Sequence, residues 1–238
     1  MRKKPAITFT DNDINYINHK LYFPFVNFLL TPKAIPISIL LKHGAKQESI
    51  IQYNGYKEDI YISDYKPNPD FMKDLPFDNF VVVRAESLQA IYVSGKVKSI
   101  VPSLFERLLR ENINVLFLPR YESDKEFAIN YPNVFVSPSP VNGLDACYFS
   151  EAVLTGAGTF AREAACLGTP AISFFPGKRL LSVDKKMVKD NLMLHSRDAD
   201  EIIKYVLKSS KKDFDKKQSH KVKEEVLAKV EQILINLQ

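Results

Sequence analysis

From Asn79 onward, short runs of β-branched and aromatic residues alternate with segments in which apolar positions recur at helical spacing, the rhythm of a parallel, doubly wound sheet. Phe80 to Arg84 reads as the first strand of this region. Behind it Ile100, Val101, Leu104 and Leu108 fall on one helical face, with Pro102 acceptable only in the first turn. Asn114 to Leu118, Asn133 to Val136, Ala152 to Thr155, Ala171 to Phe175 and Leu192 to Leu194 supply the remaining strands. Six strands with intervening helices make a complete nucleotide-binding-type α/β domain.

The stretch before Asn79 carries less. Ala6 to Thr10 and Val26 to Leu30 read as strands with a helix between them, and a third short element is expected near Tyr61. Between Ser63 and Phe77, Pro67, Pro69 and Pro76 interrupt the pattern in a polar setting, which suits a linker. After about Ser210 one long helix is expected, its stripe of Val222, Val226, Val230, Ile233 and Leu237 covering the sheet or crossing back to the first domain, with a coiled-coil partner helix as the alternative. The expected partition is a partial α/β domain over 1–62, a linker over 63–78, a full domain over 79–209 and the amphipathic helix over 210–238.

Composition agrees with a globular chain: 238 residues of 27.2 kDa, 45% hydrophobic and 26% charged, exclude disorder and collagen-like fibre. A chain this long needs no disulfide or metal staple. Cys147 and Cys166 both stand in apolar surroundings and read as core. The longest apolar run, Leu21 to Leu30, is interrupted by Pro24 and Asn27 and falls short of the roughly 20 residues of a membrane span. The basic start lacks the apolar region of a signal peptide, so the cytoplasm is the expected location. The net charge of +5 raises the question of an anionic partner. Much of the excess sits at Lys208, Lys211, Lys212, Lys216, Lys217, Lys221 and Lys223, flanking a helix, where it reads as a solvated face rather than a nucleic-acid surface.

Only 8 residues are glycine, yet Gly143, Gly156, Gly158, Gly168 and Gly177 fall close together. Gly156-Ala157-Gly158-Thr159 follows a strand and precedes a helix, and a helix N-terminus offers free amides and a positive dipole end to a phosphate. Thr159 is expected to cap that helix and to donate its hydroxyl to the anion. Gly156 to Ala161 also satisfies the dinucleotide fingerprint G-x-G-x-x-A, but three strands precede it and no acid ends the next strand. Glu163, about one turn further on, is placed to accept ribose hydroxyls, the alternative being ordinary helix-terminus charge compensation.

Arg84 and Arg120 end the first two strands of this domain, where open α/β sheets hold their ligands, and two guanidinium groups there would neutralise a diphosphate without a metal. Lys178 is a further candidate of the same kind. Asp11 and Asp13, after the first strand of the chain, are candidates for a general base, with helix capping as the alternative. His19, His43, His195 and His220 show no metal-ligand spacing, and neither a Walker A sequence nor a G-x-S-x-G elbow is present.

The run Ala152 to Lys178 resembles the donor-binding segment of the GT-B superfamily, which includes metal-independent glycosyltransferases and UDP-N-acetylglucosamine 2-epimerases. Ala157-Gly158-Thr159 stands where the epimerases have S-G-G, Glu163 in the place of the ribose-binding glutamate, and Leu167-Gly168-Thr169-Pro170 in that of L-G-x-P. Departures at Ala157, Thr159, Ala161 and Arg162 set the chain apart from the epimerases. A closer resemblance is to the DUF354 family, mainly archaeal proteins. It is carried by Thr10-Asp11-Asn12-Asp13, Tyr53 to Glu58, Val81 to Arg84, Leu118-Pro119-Arg120, Arg162-Glu163-Ala164-Ala165 and Pro176-Gly177-Lys178.

These resemblances imply a GT-B-like α/β fold and a UDP-linked nucleotide sugar as substrate, with no other cofactor and no metal. The nucleotide would lie at Arg84, Arg120, Gly156, Ala157, Gly158, Thr159, Glu163 and Lys178, with Asp11, Asp13 and Arg84 in catalytic roles. The implied activity is glycosyl transfer; 2-epimerisation, or a subunit that is completed by a second chain, are the alternatives. The family resemblance also implies a further stretch ahead of Ala6, belonging either to the same product or to a separate polypeptide.

Overall fold

The computed structural model describes residues 4–89 and 97–237. In chain order the elements are β1 (Ile7–Phe9), α1 (Tyr16–Tyr22), β2 (Phe28–Pro32), α2 (Ile37–Lys42), β3 (Ile50–Tyr53), α3 (Lys57–Ile62), β4 (Val81–Arg84), α4 (Val101–Arg110), β5 (Val115–Leu118), β6 (Val134–Val136), α5 (Gly143–Phe149), β7 (Ala152–Thr155), α6 (Gly158–Cys166), β8 (Ala171–Ser173), α7 (Ser182–Lys189), β9 (Met193–His195), α8 (Ala199–Lys208) and α9 (Lys216–Ile235). They form two units. The first comprises Met1–Asp64, Arg179–Lys186 and Lys216–Gln238; the second comprises Tyr65–Lys178 and Met187–Asp215.

In the first unit three parallel strands lie in the order β1-β2-β3. One cluster, Phe23, Val26, Leu29, Ile35, Leu40 and Val183, gathers around α1 and α2. A second, Leu30, Tyr53, Val222, Val226 and Ile233, is closed by α9. The C-terminal stripe therefore does cover a sheet, that of the first unit. Its limits differ from the expected ones: α9 starts at Lys216 rather than near Ser210, and Leu237 is exposed. Lys212 explains the late start, since its amide donates to the Gly168 carbonyl at 2.9 Å and holds this stretch outside any helix.

The element expected near Tyr61 is α3, and the third strand lies earlier, at Ile50–Tyr53. Lys57 to Ile62 turns helical because Asp59, at its third position, accepts the Tyr56 amide at 2.9 Å. The proline-rich stretch is also more structured than its composition suggests. Phe71 stacks on Phe149 at 5.8 Å, and Asp145 accepts from the Tyr65 hydroxyl and from the Asn68 amide at 3.0 Å.

The second unit holds six parallel strands in the order β6-β5-β4-β7-β8-β9. From β4 the chain builds outward through β5 and β6, then returns to β4's other side with β7 and continues to β8 and β9. The reversal between β4 and β7 is a topological switch point, the crevice in which sheets of this kind bind ligands. Its strands are short apolar runs buried on both sides, as parallel pairing requires. Val83, Phe105, Phe117, Leu154, Ile172 and Ile202 belong to one continuous core against α4 and α8. Pro102 sits in the first turn of α4, where its missing amide costs nothing.

Candidate functional site

Arg84 and Thr155 are register partners at the carboxyl ends of β4 and β7, so both stand at the switch point. The next residue, Gly156, is buried and its amide donates to the Arg84 carbonyl at 3.1 Å. A Cβ on Gly156 would lie 2.6 Å from the Glu86 Cα, which is why this position has none. The Ala157 amide is also committed, to Thr155 Oγ1 at 2.9 Å.

Helix α6 then begins at Gly158 with Ala157 as its cap and no side chain capping it. Thr159 does not cap the helix, contrary to the sequence expectation: it lies inside the first turn, two residues past the cap, and its Oγ1 accepts from Arg162 at 3.2 Å. What remains for an anion are the first-turn amides of Gly158, Thr159 and Phe160, which no helical carbonyl can reach. Thr159 is exposed and Gly158 half-buried, so this end is open to solvent. Gly156 and Ala157 thus shape the turn, and Gly158 and Thr159 present it. At its far end α6 stops where Gly168 takes φ +78, in the left-handed region that suits glycine.

The charges of Arg120 and Glu163 both act on Arg84, the residue that ends β4. The Arg84 guanidinium lies 5.6 Å from the Phe160 ring centroid. Burial and then the positive charge of Arg120 pull the Arg84 pKa below its usual value, while Glu163 raises it. Two guanidinium groups that repel each other, opposed by one carboxylate, leave an excess of positive charge at the strand ends. Arg84 also lines a cleft of about 320 Å³ whose other walls are Phe117 to Pro119, Ser137 to Val141, Gly143 and Phe160. The wall from Ser137 to Val141 escaped the sequence reading; its signal is the alternation of serine and proline after β6. Lys178 is exposed and does not line this cleft.

Glu86 is another residue that the sequence reading passed over. Its side chain is buried, accepts from Ser99 Oγ at 2.7 Å and from the Ile100 amide at 3.1 Å, and pairs with Arg197 at 3.2 Å. It anchors the start of α4 next to Gly156, so its charge is engaged in support of the turn.

The aspartates after β1 lie in the first unit. Asp11 pairs with Lys57 Nζ at 2.8 Å. Asp13, 6% exposed, accepts from the Ser182 amide at 3.0 Å and from the Ser182 hydroxyl, and so holds the start of α7. Between them Asn12 Oδ1 accepts from the Ile14 and Asn15 amides, each at 3.0 Å, and so holds the turn that leads into α1. Near Asp13 the structure joins two histidines that are remote in sequence: the Nδ1 atoms of His19 and His43 lie 2.9 Å apart. His19 stacks on Phe23 at 4.3 Å, and burial lowers its pKa to about 4, with the His43 charge adding to the effect and Asp13 opposing it. Among the described residues no group of three or more His, Cys, Asp or Glu side chains could hold a metal ion, and no helix is long and apolar enough to cross a membrane.

Comparison with known proteins follows the same lines. The family model for the protein of unknown function DUF354 matches residues 3–237. The uncharacterized protein MJ0665 of Methanocaldococcus jannaschii is 29% identical over 210 residues, which make up 85% of this chain and 60% of that protein. Among solved structures, the UDP-GlcNAc 2-epimerase of M. jannaschii in complex with UDP-GlcNAc and UDP is 20% identical with a TM-score of 0.58, over 76% of this chain and 54% of its own. Anabaena HepE in complex with UDP and glucose is 11% identical with a TM-score of 0.59, over 97% of this chain and 72% of its own. The fold is therefore GT-B-like, and the chain spans little more than half the length of the first two of these relatives.

Proposed function

The chain belongs to the DUF354 family, and from that membership together with the switch-point cleft we propose that its second unit binds a nucleotide sugar for glycosyl transfer. The observation that carries this reading is the position of Arg84 at the switch point, where it lines the cleft and feels the charges of Arg120 and Glu163. In this reading the Gly158 and Thr159 amides and the positive end of α6 take one phosphate, and Arg84 and Arg120 take the other. Glu163 accepts hydroxyls of the ribose. Each contact gains strength as the sugar departs and negative charge accumulates on the leaving diphosphate, so that the chain's own cations serve the step. The UDP bound in the epimerase and HepE structures supports uridine as the base.

The two aspartates offered by the sequence as acceptor bases both lie in the first unit. Asp13 accepts two hydrogen bonds from Ser182, and Asp11 pairs with Lys57 at 2.8 Å. Epimerisation is the second reading, favoured by the likeness to 2-epimerases. A binding subunit that works together with another polypeptide is a third reading.

Proton NMR of UDP-GlcNAc mixed with the protein tests these readings together. Line broadening and shifts at the uridine and ribose protons are expected. A changed sugar without any acceptor selects epimerisation, release of UDP only with an acceptor selects transfer, and binding without turnover selects the subunit. Unperturbed nucleotide signals contradict all three.

A further inference from the structure

The first unit contains a pocket of about 480 Å³ that the nucleotide reading does not use. Its apolar walls are Ile14, Tyr16, Ile39 and Leu180; around them stand Lys42, Arg179 and Lys185. No carboxylate pairs with any of these three cations among the described residues. The one acid that lines the pocket is Asp13, and its oxygens accept from Ser182. Three cations against one carboxylate leave two positive charges facing a shared cavity. Like charges held this way repel, and an anion of matching charge relieves the repulsion.

We propose that this pocket binds a phosphomonoester-bearing small molecule, with its phosphate among Lys42, Arg179 and Lys185 and its carbon skeleton against Tyr16 and the aliphatic wall. A phosphomonoester carries about −1.5 to −2 charges at neutral pH, which balances the lining, whereas a carboxylate balances half of it. The volume lies within the roughly 300–1,000 Å³ of small-molecule sites and suits a phosphorylated monosaccharide. His43 supplies a neutral polar group. It meets His19 through Nδ1, and whichever ring of that pair accepts there carries its proton on Nε2. When His43 is the accepting ring, its Nε2–H is a donor for a phosphate oxygen. This site is independent of the nucleotide reading and stands if that reading fails.

The test is calorimetric titration of the intact protein at low ionic strength with glucose 6-phosphate, inorganic phosphate and glucose. Glucose 6-phosphate is expected to bind more tightly than either inorganic phosphate or glucose. The combined variant Lys42→Gln, Arg179→Gln, Lys185→Gln should weaken it at least about tenfold, and Arg84→Gln should leave it unchanged. All three substituted side chains are exposed, and Lys42→Glu gives an independent reading should the combined variant fold poorly. No binding of glucose 6-phosphate, equal binding of inorganic phosphate, unchanged affinity in the charge variants, or loss of affinity in Arg84→Gln would each overturn the proposal.

Discussion

The Glu86 Cα stands 2.6 Å from the point that a Cβ on Gly156 would occupy, closer than real Cβ contacts come. The neighbour is backbone, so it has little room to yield. Gly156→Ala should therefore lower stability by about 1–3 kcal/mol or more, the range for overpacking a tight site. Urea unfolding checks this, and an unchanged midpoint would contradict the close approach of the two turns.

Glu86 itself ties together Ser99, the Ile100 amide and Arg197 with its side chain buried. Removing the charge leaves Arg197 without its partner and the start of α4 less well held. Glu86→Gln should cost about 2–3 kcal/mol in urea unfolding. Loss of nucleotide affinity in this variant should follow only from the loss of fold, since Glu86 has no contact to offer a ligand beyond these.

The two histidines bring a pH dependence whose sign is fixed. Burial holds His19 near a pKa of about 4 and also lowers that of His43, both from the ordinary 6.5. The unfolded chain therefore binds more protons than the folded one between about pH 6.5 and 4. Stability contributed by the neutral pair is complete above pH 6.5 and is lost as pH falls through that window. Thermal melts at pH 7.5, 5.5 and 4.5 should show the decline, and His19→Phe, which keeps a ring against Phe23, should flatten it. Equal slopes in the two proteins would contradict the assignment.

Cys147 is fully buried, and desolvation followed by the Glu163 charge pushes its thiol well above the usual range, with Arg84 and Lys211 opposing. It should resist alkylation by iodoacetamide in the folded protein and react once the chain is unfolded. Cys166, half-buried, should be the faster of the two. Mass spectrometry of tryptic peptides separates them, and early labelling of Cys147 would contradict its placement.

Several of these features were legible in the residues alone. Val81 to Arg84 and Val115 to Leu118 read as strands because both faces of each are buried, and the six-stranded sheet follows from such runs. Gly156 announced a turn, although not that the backbone of Glu86 was the reason for it. The cleft wall from Ser137 to Val141 was missed because a serine-proline turn has no periodicity to mark it. The pairing of His19 with His43 spans a separation of 24 residues and depends on how α1 and α2 meet, which no local pattern encodes. The same holds for Arg179 to Lys186, which follow β8 in sequence yet belong with the first strands of the chain. Lys57 to Ile62 announced an element but not its type: its β-branched and aromatic residues leave it open, and the Asp59 cap decides for a helix.

The central claim rests on Arg84 and Glu163, and equilibrium titration with UDP tests it most directly. UDP should bind the unmodified protein, Arg84→Gln should weaken it by about 10- to 100-fold through loss of charge-assisted hydrogen bonds, and Glu163→Gln by about tenfold. Uridine should bind weakly and be insensitive to Arg84→Gln, because it lacks the diphosphate that this residue is proposed to hold. UDP affinity that is absent, or unchanged by both substitutions, would contradict the account.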